Sequence, residues 1–306
     1  SSYTKKSFQH LSSQELIDIH KHEYDKDFIS ISTPYVAREH KYKTLIEEGM
    51  SYAAKNITGM DIRGFTPLRE ELCRYMKRFG LYVEPEQIFI MTGPVEAVTS
   101  ICTAVMRTGL DVLYGEPAWV IFKNHIRAYG VNMIPLDMDE EGITTESLLK
   151  NIRRPSGTVL YTTPCYSYPT GISISEQRKQ DILTICHNSK TPLIEMDFYR
   201  ALGQSLPVPF AARDNLGSVI YIGNFDELFP TGMSLAWVAV PSTLTDRFYH
   251  YKTQSDHVSS VMQIFYYYLL SSGKFDEYVG NLLEHIEKRK KFTYEMMEKY
   301  LGRFAT

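Results

Sequence analysis

The stretch Ile88–Met106 (IFIMTGPVEAVTSICTAVM) contains one complete unit of the fold. Its first residues, Ile88–Thr92, form an apolar run of the length of a buried strand, and the Gly93-Pro94 pair ends that run. The remaining residues, Val95–Met106, are predicted to form an amphipathic helix. The stretch therefore predicts a strand that is followed directly by a helix.

Similar units recur on both sides of this stretch. Short apolar runs alternate with amphipathic segments, and such alternation builds a mostly parallel sheet covered by helices on both faces. Because the runs are almost continuously apolar, we expect the sheet to be buried on both sides. The other predicted strands are Asp111–Tyr114, Thr158–Thr162, Leu193–Asp197, Val219–Gly223 and Leu235–Val240, and further helices are predicted at Glu70–Lys77, Ser175–His187, Ser242–Tyr251, Val258–Leu270 and Lys274–Leu301.

The last predicted helix suggests how the chain is organised. Lys274–Leu301 would run on the order of 40 Å, a length typical of a helix that bridges domains. We expect a small C-terminal domain after it to be largely absent from this chain. The expected regions are an N-terminal arm with helices at 1–55, a large domain at 56–272 and the interdomain helix with the start of a small domain at 273–306.

The composition is that of a globular protein, with 43% hydrophobic and 23% charged residues. The 33 basic and 36 acidic residues give a net charge of −3, which argues against direct binding of nucleic acid. Cys73, Cys102, Cys165 and Cys186 form no CxxC pair, so we expect no metal site, no disulfide framework and a cytoplasmic location. No apolar run approaches the roughly 20 residues that span a bilayer, so no membrane contact is expected.

Five segments carry the most specific signal. They are Asp61–Arg78 with its continuation Glu84–Gly93, Gly115–Trp119 (GEPAW), Thr163–Gly171 (TPCYSYPTG), Leu193–Phe198 (LIEMDF) and Gly223–Trp237 (GNFDELFPTGMSLAW). In this order they resemble the large domain of fold-type-I pyridoxal-phosphate (PLP) transferases, the class I/II aminotransferases. The closest resemblance is to the aminotransferase-like half of MocR-type transcription regulators of the GntR family. The resemblance implies a three-layer α/β large domain.

The resemblance also implies a PLP site, and the chain departs from it at the reactive end. PLP needs a lysine amine for its Schiff base and cationic or hydroxyl groups around its phosphate. The family's serine and lysine positions hold Asp226 and Glu227 here, and its phosphate-binding arginine position holds Ser234. A carboxylate cannot form an imine, and two carboxylates repel a phosphate dianion. No catalytic residue and no cofactor are therefore predicted.

The position beside the ring nitrogen is changed as well. Where the family has Glu-Asp-Asp-Tyr, the chain has Glu195, Met196, Asp197 and Phe198, so Met196 replaces the aspartate that would protonate the ring. Asp197 is expected to point to the other face of the strand, unless a one-residue bulge brings it into place.

The sequence leaves open whether the pocket can bind a phosphate at its anion end, the helix start at Gly93, Pro94 and Val95. Gly93, Pro94 and Val95 open a helix, and a helix N-terminus can bind an anion. Pro94 removes one donor, and Glu96 adds a negative charge in the first turn. An ordinary capping role for Glu96 is the alternative.

Two aromatic residues keep the pattern of the pocket. Trp119 stands where the family has the ring that stacks on the cofactor, and Tyr168 lies in the loop that normally meets the ring oxygen. We therefore expect that a flat ligand can still stack there.

Three functions fit these residues. The leading hypothesis is a non-catalytic ligand-sensing and dimerisation domain of a MocR-type regulator. Its partners would be a second copy, a small amino-acid-like or planar effector, and DNA only through a winged-helix domain that is not in this chain. The alternatives are a PLP-dependent aminotransferase with an atypical active site and a stand-alone structural pseudoenzyme. We expect a homodimer because the family's cleft lies at a subunit interface and Val258–Leu270 offers apolar faces.

Overall fold

The computed structural model of the protein describes residues 41–152, 157–203, 205–229 and 232–302. All of these residues belong to one unit of the chain, Arg38–Thr306. Residues 1–40, which make up most of the predicted N-terminal arm, lie outside the described residues. Helix α1 (Lys41–Lys55) is the described part of that arm.

A seven-stranded sheet forms the centre of the described structure. Its strands are β1 (Ile88–Met91), β2 (Asp111–Gly115), β3 (Asn132–Leu136), β6 (Thr158–Thr162), β7 (Leu193–Met196), β8 (Val219–Asn224) and β9 (Ala236–Ala239), and a separate hairpin consists of β4 (Met138–Asp139) and β5 (Gly142–Ile143). The order is β1-β9-β8-β7-β6-β2-β3, and the neighbours from β8 to β3 all pair in parallel. Strand β9 pairs antiparallel with both β8 and β1. The predicted α/β fold with a mostly parallel sheet is confirmed.

The helices begin at residues that suit helix termini. The side chains of Thr144, Ser175 and Ser259 each accept a hydrogen bond from a backbone N–H in the first turn of the helix that follows. After α1 come α2 (Thr66–Lys77), α3 (Pro94–Val105), α4 (Val120–Arg127), α5 (Thr145–Asn151), α6 (Glu176–Ser189), α7 (Phe210–Arg213), α8 (Thr245–Lys252), α9 (Ser260–Ser271) and α10 (Lys274–Leu301).

Alternate strand residues point to opposite faces of the sheet and form two separate hydrophobic cores. On β2, Val112 and Tyr114 belong to one core, and Leu113 belongs to the other. The first core includes residues of α3, α4 and α8, and the second includes residues of α5, α6 and α7. The sheet is therefore the middle of three layers, and its strands are apolar on both faces for that reason.

The predicted strands agree with the observed ones to within one residue at each end. Strand β3 was not predicted, because it is the edge strand and most of its residues are exposed or half-buried. Pro135 lies within it, and proline is typical of edge strands rather than central ones. The short helices α4 and α5 were also not predicted.

Helix α9 changes one expectation about the homodimer. The apolar faces of Val258–Leu270 were expected to be open to a second copy. Instead, Phe265, Tyr266 and Leu269 are fully buried within the described chain, where α9 packs on α1 and α2. This stretch therefore no longer supports the dimer, which rests on the resemblance alone.

Helix α10 has the bounds that the sequence predicts. Phe275, Tyr278 and Leu282 in its first three turns are buried, whereas Phe292 and Tyr300 further along are mostly exposed. Within the described ranges, no helix combines the length and the apolar character needed to cross a membrane.

The predicted site residues meet at one edge of the sheet. The parallel strands β2, β6, β7 and β8 have their carboxyl ends at this edge, and β1 ends there too because it runs in the same direction. The start of β9 lies at the same edge because β9 runs the other way. In open α/β sheets, ligands bind outside the carboxyl ends of the strands.

The pairing of Gly223 on β8 with Trp237 on β9 provides a test of this packing. A Cβ atom at Gly223 would overlap the buried Trp237 indole, which lies across the glycine. We expect Gly223→Ala to lower the free energy of unfolding by about 1–3 kcal/mol, since the ring has no space to move into. Urea denaturation measures this change.

The control is Gly280→Ala in α10, where a Cβ would meet no atom within 4 Å. Alanine is the better helix former there, so this variant should gain up to about 1 kcal/mol. Equal effects of the two substitutions would contradict the proposed packing of Trp237.

Candidate functional site

An aromatic cluster lies beyond the carboxyl ends of β2, β6 and β7. The ring centroid of Trp119 lies 4.9 Å from that of Phe122, 5.8 Å from that of Tyr168 and 6.5 Å from that of Phe198. Phe122 and Phe198 are 5.4 Å apart and close the inner side of the cluster. These rings present apolar faces and edges to whatever enters between them.

These rings and Met196 line a narrow cavity that also includes Tyr161 and Tyr199. Its volume is about 20 Å³, which is room for about one water molecule. Tyr168 is 40% exposed and lies at its opening. A planar ring therefore enters only if a side chain such as Tyr168 moves.

Strand β7 decides which residue faces this cavity. It pairs in regular register with β6 up to Glu195 and with β8 up to Met196, and the Asp197 backbone N–H continues the ladder to the Ile222 carbonyl at 2.9 Å. Met196 and Phe198 line the cavity, whereas Asp197 lies on the other face. The one-residue bulge considered from the sequence is not present.

On that face, Asp197 accepts hydrogen bonds from other side chains. Its Oδ2 atom accepts hydrogen bonds from Arg200 Nε at 2.6 Å and from the Tyr221 hydroxyl at 3.2 Å. On the same face, Glu195 accepts hydrogen bonds from the first backbone N–H groups of α7. Burial raises the pKa of Glu195 to about 7, although nearby Lys179 opposes this. These buried hydrogen bonds hold β7 in place from the face of the sheet opposite the cavity.

The anion end of the site is filled by protein groups. The Ser234 hydroxyl donates to Asp226 Oδ2 at 2.5 Å, and the Leu235 N–H donates to Asp226 Oδ1 at 3.1 Å. A Cβ atom at Gly93 would lie 2.6 Å from Ser234 Oγ, so only glycine fits between this pair and α3. Burial raises the pKa of Asp226, and the two hydrogen bonds partly offset that shift.

The first turn of α3 is occupied in a similar way. Glu96 Oε2 accepts the Thr92 N–H at 2.5 Å, and Glu96 Oε1 lies 3.0 Å from Lys252 Nζ. Lys252 is buried, whereas the Glu96 side chain keeps 16% of its surface exposed. Glu96 therefore binds the backbone just before the helix and has a charge partner on α8. Pro94 begins the helix, and Val95 is largely exposed.

Glu227 differs from these acids because it has no partner. The residue is 9% exposed, and no hydrogen bond or ion pair joins its carboxylate to any residue that the structure describes. Its oxygens are not among the fully buried unpaired atoms, so they keep some contact with solvent. Burial, followed by the charge of Asp226, raises its pKa to about 7. Glu227 is also close enough to Tyr199 that its charge raises the pKa of that phenol, after the larger effect of burial.

The structure thus brings together most of the residues predicted for the site. Trp119, Tyr168, Met196 and Phe198 share the cavity, and Gly93, Asp226 and Ser234 adjoin one another. Glu227 is not among the residues that line the cavity. Asp197 does not join them. Tyr199 was not predicted, although its place directly after Phe198 at a strand end was a usable signal. Lys252 gave no signal because its partner Glu96 is distant in the sequence.

The comparison with known proteins agrees with this geometry. The sequence model described as aminotransferase class I and II matches residues 35–223, and the chain belongs to that family. Among solved structures, a multiple substrate aminotransferase from Thermococcus profundus superposes with a TM-score of 0.84 at 21% identity, covering 96% of this chain and 77% of its own. A kynurenine aminotransferase from Pyrococcus horikoshii gives 0.84 at 23% identity, covering 97% and 77%. At such identities the likeness shows the fold alone.

The chain is also similar in sequence to transcription regulators. It is 27% identical to the HTH-type transcriptional regulator YdfD of Bacillus subtilis over 99% of this chain and 64% of that protein. It is 28% identical to YisV of the same organism over 80% of this chain and 51% of that protein. NorG of Staphylococcus aureus is 23% identical over 91% and 64%. The predicted resemblance to MocR-type regulators is confirmed, and the chain spans half to two thirds of these relatives.

The unpartnered Glu227 predicts a pH effect on stability. Its pKa rises from 4.5 to about 7 on folding, so the folded protein holds a proton there that the unfolded chain has lost. The resulting loss of stability is absent below about pH 4.5, grows up to about pH 7 and is constant above that. Glu227→Gln should therefore gain stability relative to the unmodified protein across this window, by at most about 3 kcal/mol.

Denaturant titrations of both proteins at pH values from 4 to 8 measure the difference. The raised pKa of Glu195 acts in the same window, but it is common to both proteins and cancels. Parallel stability curves for the two proteins would show that Glu227 is not buried as a free carboxylate.

Proposed function

We propose that this chain is the aminotransferase-like domain of a MocR-type transcription regulator and that it senses a small molecule without PLP and without catalysis. The observation that carries the proposal is the buried, unpartnered Glu227 at the position where the family has its Schiff-base lysine. The cavity at the carboxyl ends of β2, β6 and β7 has aromatic walls that suit a ligand. The domain thus combines a binding cavity with a lost reactive group.

The first argument against PLP concerns the Schiff base. An imine needs a lysine amine at the cavity, and none of the described residues that line the cavity is a lysine. The buried Lys179 donates to the Val208 carbonyl, and Lys252 is paired with Glu96. Both amines are already engaged elsewhere in the fold.

The second argument concerns the phosphate. A phosphate dianion would have to approach Asp226 and Glu227, and the Ser234 hydroxyl that could donate to it is bonded to Asp226. Displacing that bond would leave the Asp226 carboxylate with the Leu235 N–H as its remaining donor among the described residues, and the loss of a buried hydrogen bond costs roughly 1–3 kcal/mol. The anion end of this site therefore disfavours anions.

The third argument concerns the ring nitrogen. The protonated ring needs a carboxylate partner, and the residue that faces the cavity at this position is the thioether Met196. Asp197 cannot replace it without leaving Arg200 and breaking the register of β7. The three contacts that PLP requires are all replaced.

The regulator part of the proposal is supported by the relatives. YdfD, YisV and NorG are named HTH-type regulators, and this chain matches about half to two thirds of each. We infer that DNA contact belongs to another part of the parent polypeptide, since the chain itself carries a net charge of −3. We also propose a homodimer in which ligand binding is transmitted between copies.

The PLP part is tested by reduction with borohydride in the presence of PLP, followed by peptide mass spectrometry. We expect no lysine-bound adduct that depends on the folded state, because no lysine lines the cavity within the part of the chain that the structure describes. Denatured protein serves as the control for adventitious surface adducts. An adduct on one lysine of the folded protein, with absorbance of an internal imine, would restore the aminotransferase alternative.

Substitutions that are designed to create PLP binding provide a second test of the same residues. We expect little binding by Glu227→Lys with Ser234→Arg, because the new arginine would pair with Asp226. Adding Asp226→Ser and Met196→Asp should supply the missing contacts, and each is worth roughly ten- to a hundredfold in affinity. If the fourfold variant folds but binds PLP no better than the original chain, the narrow cavity rather than these side chains excludes the cofactor.

A further inference from the structure

We propose that the aromatic cavity binds an uncharged aromatic molecule with one hydroxyl group, whose ring lies against Trp119 and whose hydroxyl meets the side chains of Thr163 and Ser167. This inference rests on the proposed function, since it names the chemical class of ligand for the same site. Of the two effector classes expected from the sequence, it retains the planar one and excludes the amino-acid-like one.

The wall of the cavity supplies the first observation. None of the described residues that line it is charged. The register of β7 places the thioether of Met196 in the wall and turns Asp197 to the other face of the sheet. Six of the ten lining residues are aromatic: Trp119, Phe122, Tyr161, Tyr168, Phe198 and Tyr199. An ionised ligand would therefore leave water here without meeting an opposite charge.

Two basic residues adjoin lining residues in the sequence, and both are already paired. Lys123 Nζ lies 3.3 Å from both carboxylate oxygens of Glu116. Arg200 Nε donates to Asp197 at 2.6 Å, and a second nitrogen of Arg200 lies 3.6 Å from the sulfur of Cys165. Neither residue is placed to bind the carboxylate of an amino acid or of another anion in the cavity.

An ammonium group is disfavoured for a similar reason. The faces of aromatic rings attract a cation, but this attraction is smaller than the hydration that an unpaired ion loses on burial. A neutral ring loses little hydration and gains contact with the aromatic side chains. The absence of charge among the described lining residues therefore favours a neutral ligand over an ion of either sign.

The hydroxyls of Thr163 and Ser167 supply the second observation. Their oxygens lie 2.9 Å apart, and either can donate to the other. The two hydroxyls carry two protons, and the bond between them uses one. Neither oxygen makes another hydrogen bond to a described residue, so one proton remains for a ligand. A ligand hydroxyl suits this pair because it can both accept that proton and donate its own.

Thr163 also lies where the ligand can reach it. It lines the aromatic cavity and, together with Ala118 and Tyr161, a second cavity of about 20 Å³. Ser167 lines that second cavity. The hydroxyl pair is therefore at the boundary of the two cavities, and a ring in the first cavity meets it at one edge.

Tyr168 controls the entry of the ring. Among the described residues that line the aromatic cavity, it alone is exposed, and its ring centroid lies 5.8 Å from that of Trp119. Aromatic pairs have centroids roughly 4.5–7 Å apart, so a third ring fits between these two only if they separate. The ligand therefore displaces Tyr168 and changes the surroundings of Trp119.

Fluorescence titration of this chain tests the proposal, because it contains two tryptophans and Trp237 is fully buried elsewhere. The probes are benzyl alcohol, its saturated counterpart cyclohexylmethanol, the cation benzylammonium and the anion benzoate, all at pH 7. We expect benzyl alcohol to bind at least about tenfold more tightly than either ion. It should also bind about fivefold more tightly than cyclohexylmethanol, which has no aromatic face. The signal should be absent in Trp119→Phe.

A variant assigns the polar contact to Thr163. Thr163→Val removes the hydroxyl and keeps the shape, so the affinity for benzyl alcohol should fall about tenfold. The affinity for toluene, which has no hydroxyl, should stay the same, and this also shows that the variant is folded. Thr184→Val is the matched control, because Thr184 is exposed on α6 and its hydroxyl donates to the Gln180 carbonyl of the same helix.

Two results overturn the inference. One is an ion that binds as tightly as benzyl alcohol, or no change in emission with any probe at millimolar concentration. The other is a Thr163→Val variant whose affinities for benzyl alcohol and toluene change equally or not at all. Either result leaves the loss of PLP chemistry intact, because that part of the proposed function fails only on a PLP adduct, which the borohydride experiment detects separately.

Discussion

The backbone pairing of β7 between β6 and β8 is the constraint on which the site depends. Pairing with β6 holds the strand in register through Glu195 and pairing with β8 through Met196, and the Asp197 N–H extends the ladder on the β8 side by one residue. Because successive side chains alternate between faces, the pairing sends Met196 towards the cavity and Asp197 away from it. The buried partners of Asp197 on the far face then reinforce this choice. The polarity of the cavity wall is thus set by the register of a central strand.

Glu96, Asp226 and Glu227 all carry carboxylates near the anion end of the site, but their hydrogen-bond partners differ. Glu96 binds the backbone just before α3 and neutralises the buried Lys252, and Asp226 orders the turn before β9 through Ser234 and Leu235. Both carboxylates stabilise the local fold by accepting hydrogen bonds. Glu227 accepts none from the described residues, and burial therefore raises its pKa to about 7.

The fold of this chain and the side chains at its strand ends are separate properties. Its backbone superposes on aminotransferases with TM-scores of 0.84, and aromatic rings line a narrow cavity at the carboxyl ends of its strands. At the ends of β8 and β9 the chain holds Asp226, Glu227 and Ser234, where the resemblance implies a serine, a lysine and an arginine. Shape is a property of the sheet and its helices, whereas chemistry depends on a few side chains at the strand ends.

The sequence by itself determined the three-layer architecture and the identity of the changed residues. Strand positions were predictable because burial on both faces makes a central strand continuously apolar, and this is a local signal. Glu227 and Ser234 were predictable because Gly223 and Trp237 hold the frame around them. Only the tertiary structure decided the edge strand β3, the face of Asp197, the pairing of Glu96 with Lys252 and the approach of Tyr199 to Glu227. These features depend on contacts between distant segments, such as the 156 residues that separate Glu96 from Lys252, and no local pattern encodes such contacts.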